Sequence, residues 1–514
     1  MTVDKTQPPL DGIAAKDSVA SSDHHFRTDH LLVNLKARTI SSGMITGIAQ
    51  GAKFILTLAS TVIMARLLTP DDFGLFAMVM AVTSVLRIFK DAGLSAATVQ
   101  REGISHAQVS NLFWINLALS AGLGLILAAA SPLIAGFYKE PRLIAMTLAL
   151  AASFLFSGST VQHSALLNRQ MRFKALAVIE VSSMLIMLLT GVVMALLGCK
   201  YWSLVGSNLA GDASTLVMTW MASGWRPQLP RRGSGTRPLL RFGVNLTAGN
   251  IIYTVVRGTD ALLIGRWYGA NSLGLYNRAS GLLMRPLEQF LAPINAVFIP
   301  ALSRLQNQAE RYRAMFLRLY EVVGLVGFTF SGFFLALSHP LTVVLLGAKW
   351  EKSADIFAGF TLAAIYFPMG AAASWLFVSQ GRGREMLVTT SINSFFTGAS
   401  FVAGLPFGPF GVAMGFSLSG LVRIPILYYM VGKRGPVAAR DLWRVFIGNI
   451  PLWVVAFGIT CLARLAVENS RALVQLLVAG PIGMLAVAAF ILAIPAHRDK
   501  VFHFVRAIRT RKAE

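Results

Sequence analysis

The chain is 514 residues long, 55% hydrophobic and only 13% charged, with a mean hydropathy of +0.62. A soluble protein carries about 25% charged residues, so this composition excludes a water-soluble fold. The formal net charge of +23 would suggest nucleic acid in a soluble chain, but its distribution along the sequence points to a membrane topology and to no nucleic acid.

Residues 1–41 are polar and lack the apolar core of a signal peptide, so they are expected to form a flexible cytoplasmic tail. Apolar stretches of bilayer-crossing length then recur at roughly 43–65, 73–97, 108–130, 143–163, 175–197 and 201–222. They continue at 242–265, 272–299, 317–337, 354–379, 386–405 and 409–431, and end with 442–463 and 472–494. The expected class is an all-α polytopic membrane protein of about 14 transmembrane helices.

The Pro-, Gly- and Arg-rich segment 223–241 reads as a cytoplasmic linker. It divides an N-terminal six-helix bundle, 42–222, from a C-terminal one, 242–431. Two additional helices occupy 432–497, and a basic cytoplasmic tail follows at 498–514. The halves repeat: ARLLTPDDFGLF (65–76) aligns without gaps on GRWYGANSLGLY (265–276), and YWSLVG (201–206) falls opposite FGVAMG (410–415). With six spans per half, the repeats are related by a pseudo-two-fold axis along the membrane normal, an architecture of transporters.

Lysine and arginine set the orientation. One set of connections carries Arg169, Arg172 and Lys174, then Arg226, Arg231, Arg232, Arg237 and Arg241, then Arg304, Arg311, Arg313 and Arg318, then Lys433, Arg434 and Arg440. The opposite connections hold only scattered cations such as Arg66, Lys139, Arg266 and Lys349. The excess places both termini in the cytoplasm of a bacterial inner membrane, so most of the positive charge serves topology and contact with anionic lipids.

The remaining cations lie inside the spans. Lys53, Arg87, Lys90, Arg257, Arg278, Arg285 and Arg423 are the candidates for a cationic substrate path. A charge at bilayer depth costs several kcal/mol on most scales and therefore faces a bundle interior or a watery cavity. Helical spacing puts Arg87, Lys90 and Asp91 on one face, lets Arg257 pair with Asp260, and lines Arg278 and Arg285 with Glu288. Each has a plainer structural alternative: Arg257–Asp260 and Arg285–Glu288 as ion pairs, and Asp91 neutralising Arg87 or Lys90, with Glu180 and Asp212 as two more buried acids. Asp91, Asp260 and Glu288 are the candidates for H+ or Na+ coupling. Pro286, Pro293 and Pro300 recur seven residues apart as candidate hinges, because proline inside a helix removes a backbone hydrogen bond.

Other chemistry is thin. DHHFRTDH (23–30) contains three histidines, but in a polar tail it reads as solvated rather than as a metal site. Walker A, GxSxG and HExxH patterns are absent from the sequence, so neither an enzyme nor an ATP-driven pump is expected, and no cofactor. The two cysteines, Cys199 and Cys461, read as packing residues.

ARLLTPDDFGLFAMV, KDAGLSAATVQ, YWSLVGSNLAGD, GWRPQLPRR, GRWYGANSLGLYNRA, PLEQF and FIPALSRL together resemble the polysaccharide-transporter branch of the multidrug/oligosaccharidyl-lipid/polysaccharide flippase superfamily. The likeness is to Wzx-type flippases of exopolysaccharide gene clusters, including the colanic-acid type, and runs from Ser42 to Arg498. It implies two six-helix bundles around a cationic central cavity. It also implies transfer of an undecaprenyl-pyrophosphate-linked oligosaccharide from the cytoplasmic to the periplasmic leaflet, by alternating access. Membrane lipids and a polysaccharide polymerase or export machinery are the implied partners. A lipid II flippase for peptidoglycan is the nearest alternative. A cation-coupled drug exporter is disfavoured because cationic drugs require buried acids, and a non-transporting scaffold is disfavoured by the repeat.

Overall fold

The computed structural model describes Phe26 and residues 35–91, 93–101, 103–231 and 237–494, with side chains omitted at 35–42, 237–255 and 257. Among the described residues the chain is helical and has no strand. In order the helices are α1 (Leu35–Leu67), α2 (Pro70–Arg87), α3 (Leu94–Gln100), α4 (His106–Ala129), α5 (Ser131–Tyr138), α6 (Leu143–Arg169), α7 (Phe173–Leu196) and α8 (Trp202–Ser223). They continue as α9 (Arg237–Arg304), α10 (Ala309–Ala336), α11 (Ser338–Leu346), α12 (Ser353–Thr361), α13 (Ala363–Ser379), α14 (Gly383–Gly404) and α15 (Gly408–Gly432). The last three are α16 (Ala439–Gly448), α17 (Ile450–Leu465) and α18 (Ala472–Ala493).

Local chemistry explains the boundaries. Thr69 and Asp72 form a reciprocal cap at the start of α2: the Thr69 backbone N–H donates to Asp72 at 3.0 Å and the Asp72 N–H donates to the Thr69 hydroxyl at 3.3 Å. Pro70 occupies the first helical position, where its missing N–H is not needed. Ser105 and Gln108 cap α4 in the same way, at 3.3 and 3.1 Å. The long α9 run is two helices joined at Gly269, whose φ of 75° and ψ of −178° are open to glycine without strain. The candidate hinges Pro286, Pro293 and Pro300 lie inside the second of these helices, and Gly269 is the one residue with non-helical angles.

Among the described residues eight helices are long and apolar enough to cross a membrane, or nine if the pair α12–α13, bent by 43°, is one span. The expected fourteen is therefore not reproduced by length and apolarity alone. One qualifying segment, Gly383–Gly432, has 50 residues. That is about 75 Å as one straight helix, more than twice the hydrocarbon thickness, and it turns at Leu405–Phe407 so that α14 and α15 pack on one another. Exposed Leu125, Leu133, Leu196, Leu477 and Leu485 give the outer surfaces an apolar character that only lipid would satisfy. The chain is a multi-pass membrane protein.

Two compact units divide the chain: Met1–Ser60 with Thr83–Ile251, and Thr61–Val82 with Ile252–Glu514. In the first unit α6 is central, packing against α3, α4 and α8, while α7 packs on α8. In the second, α10, α13 and α15 enclose a core of Tyr312, Phe316, Tyr320, Trp375 and Tyr428. The Tyr320 and Tyr428 hydroxyls meet at 2.6 Å inside it. Helices α17 and α18 attach through Phe333, Leu452, Ala456 and Val487.

The end of α1 and most of α2 belong to the second unit, and the contacts there are specific. Gly74 of α2 and Gly274 of α9 sit where the two helices cross. A Cβ on Gly74 would stand 1.7 Å from the Ala270 carbonyl oxygen, and one on Gly274 would stand 1.8 Å from that of Pro70. Positions 70 and 270, like 74 and 274, are equivalent in the gapless repeat, so the crossing is reciprocal. The C-terminal carbonyls of α1 are covered from the turn Ala348–Trp350. Trp350 Nε1 donates to Ala65 at 2.8 Å, and Lys349 Nζ donates to Arg66 and Leu68 at 2.8 and 3.1 Å. A lysine at a helix C-terminus opposes the negative end of the helix dipole.

Candidate functional site

The first unit gathers a polar cluster around the C-terminal end of α2. Arg87 ends that helix. Its guanidinium lies 3.6 Å from Asp212 on α8 and donates to Ser153 of α6 at 3.3 Å and Asn208 of α8 at 3.4 Å. Lys90 sits in the turn that follows and donates to Ser157 of α6 at 2.6 Å. The cluster thus holds two cations and one carboxylate, which Arg87 alone meets within ion-pair distance, while hydroxyl and amide oxygens accept from both cations. Asp212 Oδ2 is buried and has no hydrogen-bond partner, so its hold on Arg87 is a loose ion pair rather than a fork.

The expected common face of Arg87, Lys90 and Asp91 is not formed. The helix stops at Arg87, and a turn carries the chain to α3. Asp91 does not neutralise its neighbours by direct contact; it caps α3, accepting from the Ser95 N–H at 2.9 Å and from the Ser95 hydroxyl. Lys53, also of this unit, is paired with Glu180 at 2.8 Å, with side-chain exposures of 26% and 52%. Its charge is therefore matched by a direct partner, unlike that of Lys90.

In the second unit the cations are held differently. The Arg278 guanidinium lies 3.6 Å above the Phe73 ring, a cation–π contact worth about 0.5–2 kcal/mol. Phe73 in turn meets Trp350 edge-on at 5.4 Å. Arg423 is buried on α15 and donates to the Ser419 and Asn393 carbonyls, both at 3.0 Å, and to the Thr397 hydroxyl at 2.5 Å. It thereby ties α15 to α14. Arg285 is exposed on α9, and Glu288, one turn on, is half-buried. Among the described residues no carboxylate oxygen lies within ion-pair distance, 4.0 Å, of Lys90, Arg278, Arg285 or Arg423. Asp260 accepts from the Tyr276 hydroxyl at 2.8 Å and from the Ala261 N–H at 2.7 Å. The Arg257 side chain, and with it the expected Arg257–Asp260 pair, lies outside the described residues.

Sequence reasoning singled out neither Ser153, Ser157 and Asn208 nor the second role of α6. Besides the two serines, α6 presents buried His163, stacked on Trp220 at 4.4 Å, and buried Arg169 at its C-terminal end. Ser153 and Ser157, one helical turn apart on an apolar helix, carry the sequence signal. Of the segment DHHFRTDH only Phe26 is described. Among the described residues no three of His, Cys, Asp or Glu come together.

Comparison with known proteins places this geometry. The model of the family described as "Polysaccharide biosynthesis protein" matches residues 63–355, and that of "Lipid II flippase MurJ" matches residues 262–479. Among curated relatives, the lipopolysaccharide biosynthesis protein WzxC of Escherichia coli (strain K12) is 25% identical over 445 residues, covering 83% of this chain and 88% of its own. The teichuronic acid biosynthesis protein TuaB of Bacillus subtilis (strain 168) is 22% identical over 440 residues, covering 84% and 89%. Among solved structures, the lipid II flippase MurJ in an inward closed conformation superposes with a TM-score of 0.71 at 16% identity, covering 90% of this chain and 100% of that one. At that identity the likeness shows the fold.

Proposed function

The chain belongs to the polysaccharide biosynthesis protein family, and from that membership we propose that it flips lipid-linked oligosaccharide repeat units across the bacterial inner membrane for surface polysaccharide synthesis. The names of WzxC and TuaB support a polysaccharide precursor as cargo. The orientation inferred from the basic connections sets the direction, from the cytoplasmic to the periplasmic leaflet, with both termini cytoplasmic. The cargo is the undecaprenyl-pyrophosphate form, with its polyprenyl chain left in the lipid.

The observation that carries this reading is the Arg87–Lys90 cluster. Two cations with one carboxylate leave a net positive site. Its other contacts are neutral oxygens, which a diphosphate would replace with charge-assisted hydrogen bonds. Arginine offers the forked geometry that suits a phosphate, and lysine adds a mobile point charge. Alternating exposure of this site to the two membrane faces would move the head group without any covalent step, so the protein acts as a transporter rather than a catalyst. Lys53, Arg257, Arg278, Arg285 and Arg423 are proposed as secondary cations along the route, with Arg278 and Arg423 also bracing their helices. For H+ or Na+ coupling, Asp91, Asp260 and Glu288 remain the proposed acids. A polymerase or export machinery would consume the flipped unit.

A lipid II flippase is the second reading, favoured by the match to the MurJ family model over 262–479. Deletion of the gene separates the two. Loss of exported polymer with viable cells, restored by the wild-type gene, supports the first reading; lethality with cell-wall failure supports the second.

A further inference from the structure

Phe26 sits in the polar tail, yet its ring is buried. It belongs to an apolar cluster with Leu94 and Ala97 of α3, Val109 and Phe113 of α4, Leu166 of α6, and Trp225. His106 meets it edge-on at 5.5 Å, and His106 also lies 5.7 Å from the Trp225 ring. The backbone is gripped as well. Arg169, itself buried, donates to the Phe26 carbonyl from Nε at 3.4 Å and from Nη2 at 3.3 Å. From Nη1 the same guanidinium donates to the carbonyls of Thr98 at 3.1 Å and Arg101, both at the C-terminal end of α3. One aromatic side chain in a polar segment, inserted into a built aromatic pocket and held by its carbonyl, is the pattern of a peptide anchor.

The pocket is linked to the cation cluster through two helices. Helix α3 is capped at its first turn by Asp91, the neighbour of Lys90, and is fastened at its last turn by the arginine that holds Phe26. Thr98 of α3 also donates to buried Gln162 of α6 at 2.8 Å. Helix α6 carries Arg169 at one end and, farther up, Ser157 and Ser153, the oxygens that receive Lys90 and Arg87. Whatever seats α3 against α6 therefore also fixes the turn that presents Lys90.

We propose that Phe26 is the anchor of an intramolecular latch: the N-terminal tail docks through it into the pocket of α3, α4, α6 and Trp225, and this docking holds α3 and the Lys90 turn in place. The occupant is this chain's own tail. The inference does not depend on what the protein carries.

The test uses the full-length protein in lipid nanodiscs, with Cys199→Ser and Cys461→Ser as background and Lys90→Cys as the reporter. Trypsin cleavage after Arg27 reads docking, because a protease samples the undocked population; Phe26→Ala should accelerate that cleavage about tenfold. Phe26→Trp should stay close to the parent, and unchanged cleavage after the exposed Arg304 and Arg311, in the second unit, controls for folding. Labelling of the reporter thiol at position 90 by a charged reagent reads the turn and should rise about fivefold in Phe26→Ala. Equal cleavage after Arg27 in the parent and Phe26→Ala would overturn docking. Faster cleavage with unchanged labelling at position 90 would overturn the link between the tail and the Lys90 turn. Neither readout involves transport, so neither result bears on the proposed cargo.

Discussion

Gly74 and Gly274, two hundred residues apart and equivalent in the repeat, face each other closely enough that a Cβ on Gly274 would stand 3.1 Å from the Gly74 nitrogen. Each also receives a backbone carbonyl from the other helix, that of Ala270 or that of Pro70, well inside van der Waals contact of any added carbon. Backbone atoms cannot swing away as a flexible side chain can, so an added methyl must push the helices apart. Gly74→Ala and Gly274→Ala are each expected to cost about 1–3 kcal/mol, the scale of overpacking in a tight core. Gly398→Ala on α14, where nothing lies within 4 Å, should be neutral or slightly stabilising. Thermal unfolding of the purified variants checks the contrast, and equal Tm values for all three would refute the crossing.

The Arg87–Lys90 cluster makes a ranked prediction about binding. Lys90→Ala removes a cation with no direct carboxylate partner, whereas Lys53→Ala removes one already paired with Glu180. A hydrogen bond to a charged group contributes about 1.5–3 kcal/mol. Loss of Lys90 or Arg87 should therefore weaken binding of undecaprenyl diphosphate by about 10- to 100-fold, with Lys53→Ala well below that. Arg87→Lys should lie between, because it keeps the charge and loses the fork. Titration of the lipid against each variant gives the order.

Under the proposed reading, Asp212 competes with the diphosphate for Arg87. Its removal as Asp212→Asn leaves shape and polarity similar and raises the net charge of the cluster by one. Diphosphate affinity should rise a few-fold and fall more steeply with salt, since bare charges are screened. Lower affinity in Asp212→Asn would mean that the carboxylate positions Arg87 rather than opposing the substrate.

Outside the spans, Glu140 offers a pH test. Arg142 donates to both its oxygens, at 2.7 and 2.9 Å, and holds the Glu140 carboxyl below its ordinary range. A depressed folded value means that the ionised form stabilises the fold: the contribution is complete above the ordinary glutamate pKa and lost as pH falls through the lower folded value. The pair is partly exposed, so its worth is about 0.2–1 kcal/mol. Glu140→Gln should lower Tm slightly at neutral pH and match the wild type in acid, as thermal scans across pH would show.

Features carried by short sequence spacing were legible before the structure. The expected spans 43–65 and 73–97, and 242–265 and 272–299, leave gaps at 66–72 and 266–271, where the Thr69–Asp72 cap starts α2 and Gly269 parts the two helices of α9. The repeat alignment named Gly74 and Gly274 as equivalents but not that they touch, because a crossing depends on the tertiary path. The Arg87–Lys90–Asp91 stripe failed for a local reason: the helix ends at Arg87, Asp91 caps the next helix, and Gly93 takes a left-handed φ of 69°. Asp212 and Glu180 were noted as acids, but their partners lie 125 and 127 positions away, beyond any periodicity. Phe26 looked like part of a solvated tail because its pocket is assembled from four separate segments.

The central claim is that the Arg87–Lys90 cluster grips a lipid-linked diphosphate glycan during transfer between leaflets. Its most direct test is flipping of an undecaprenyl-diphosphate-linked oligosaccharide in proteoliposomes containing the purified protein. Wild-type protein should move the lipid, and the Arg87→Ala/Lys90→Ala double variant, inserted to the same level, should not. Wild-type flipping rates from the double variant would contradict the account.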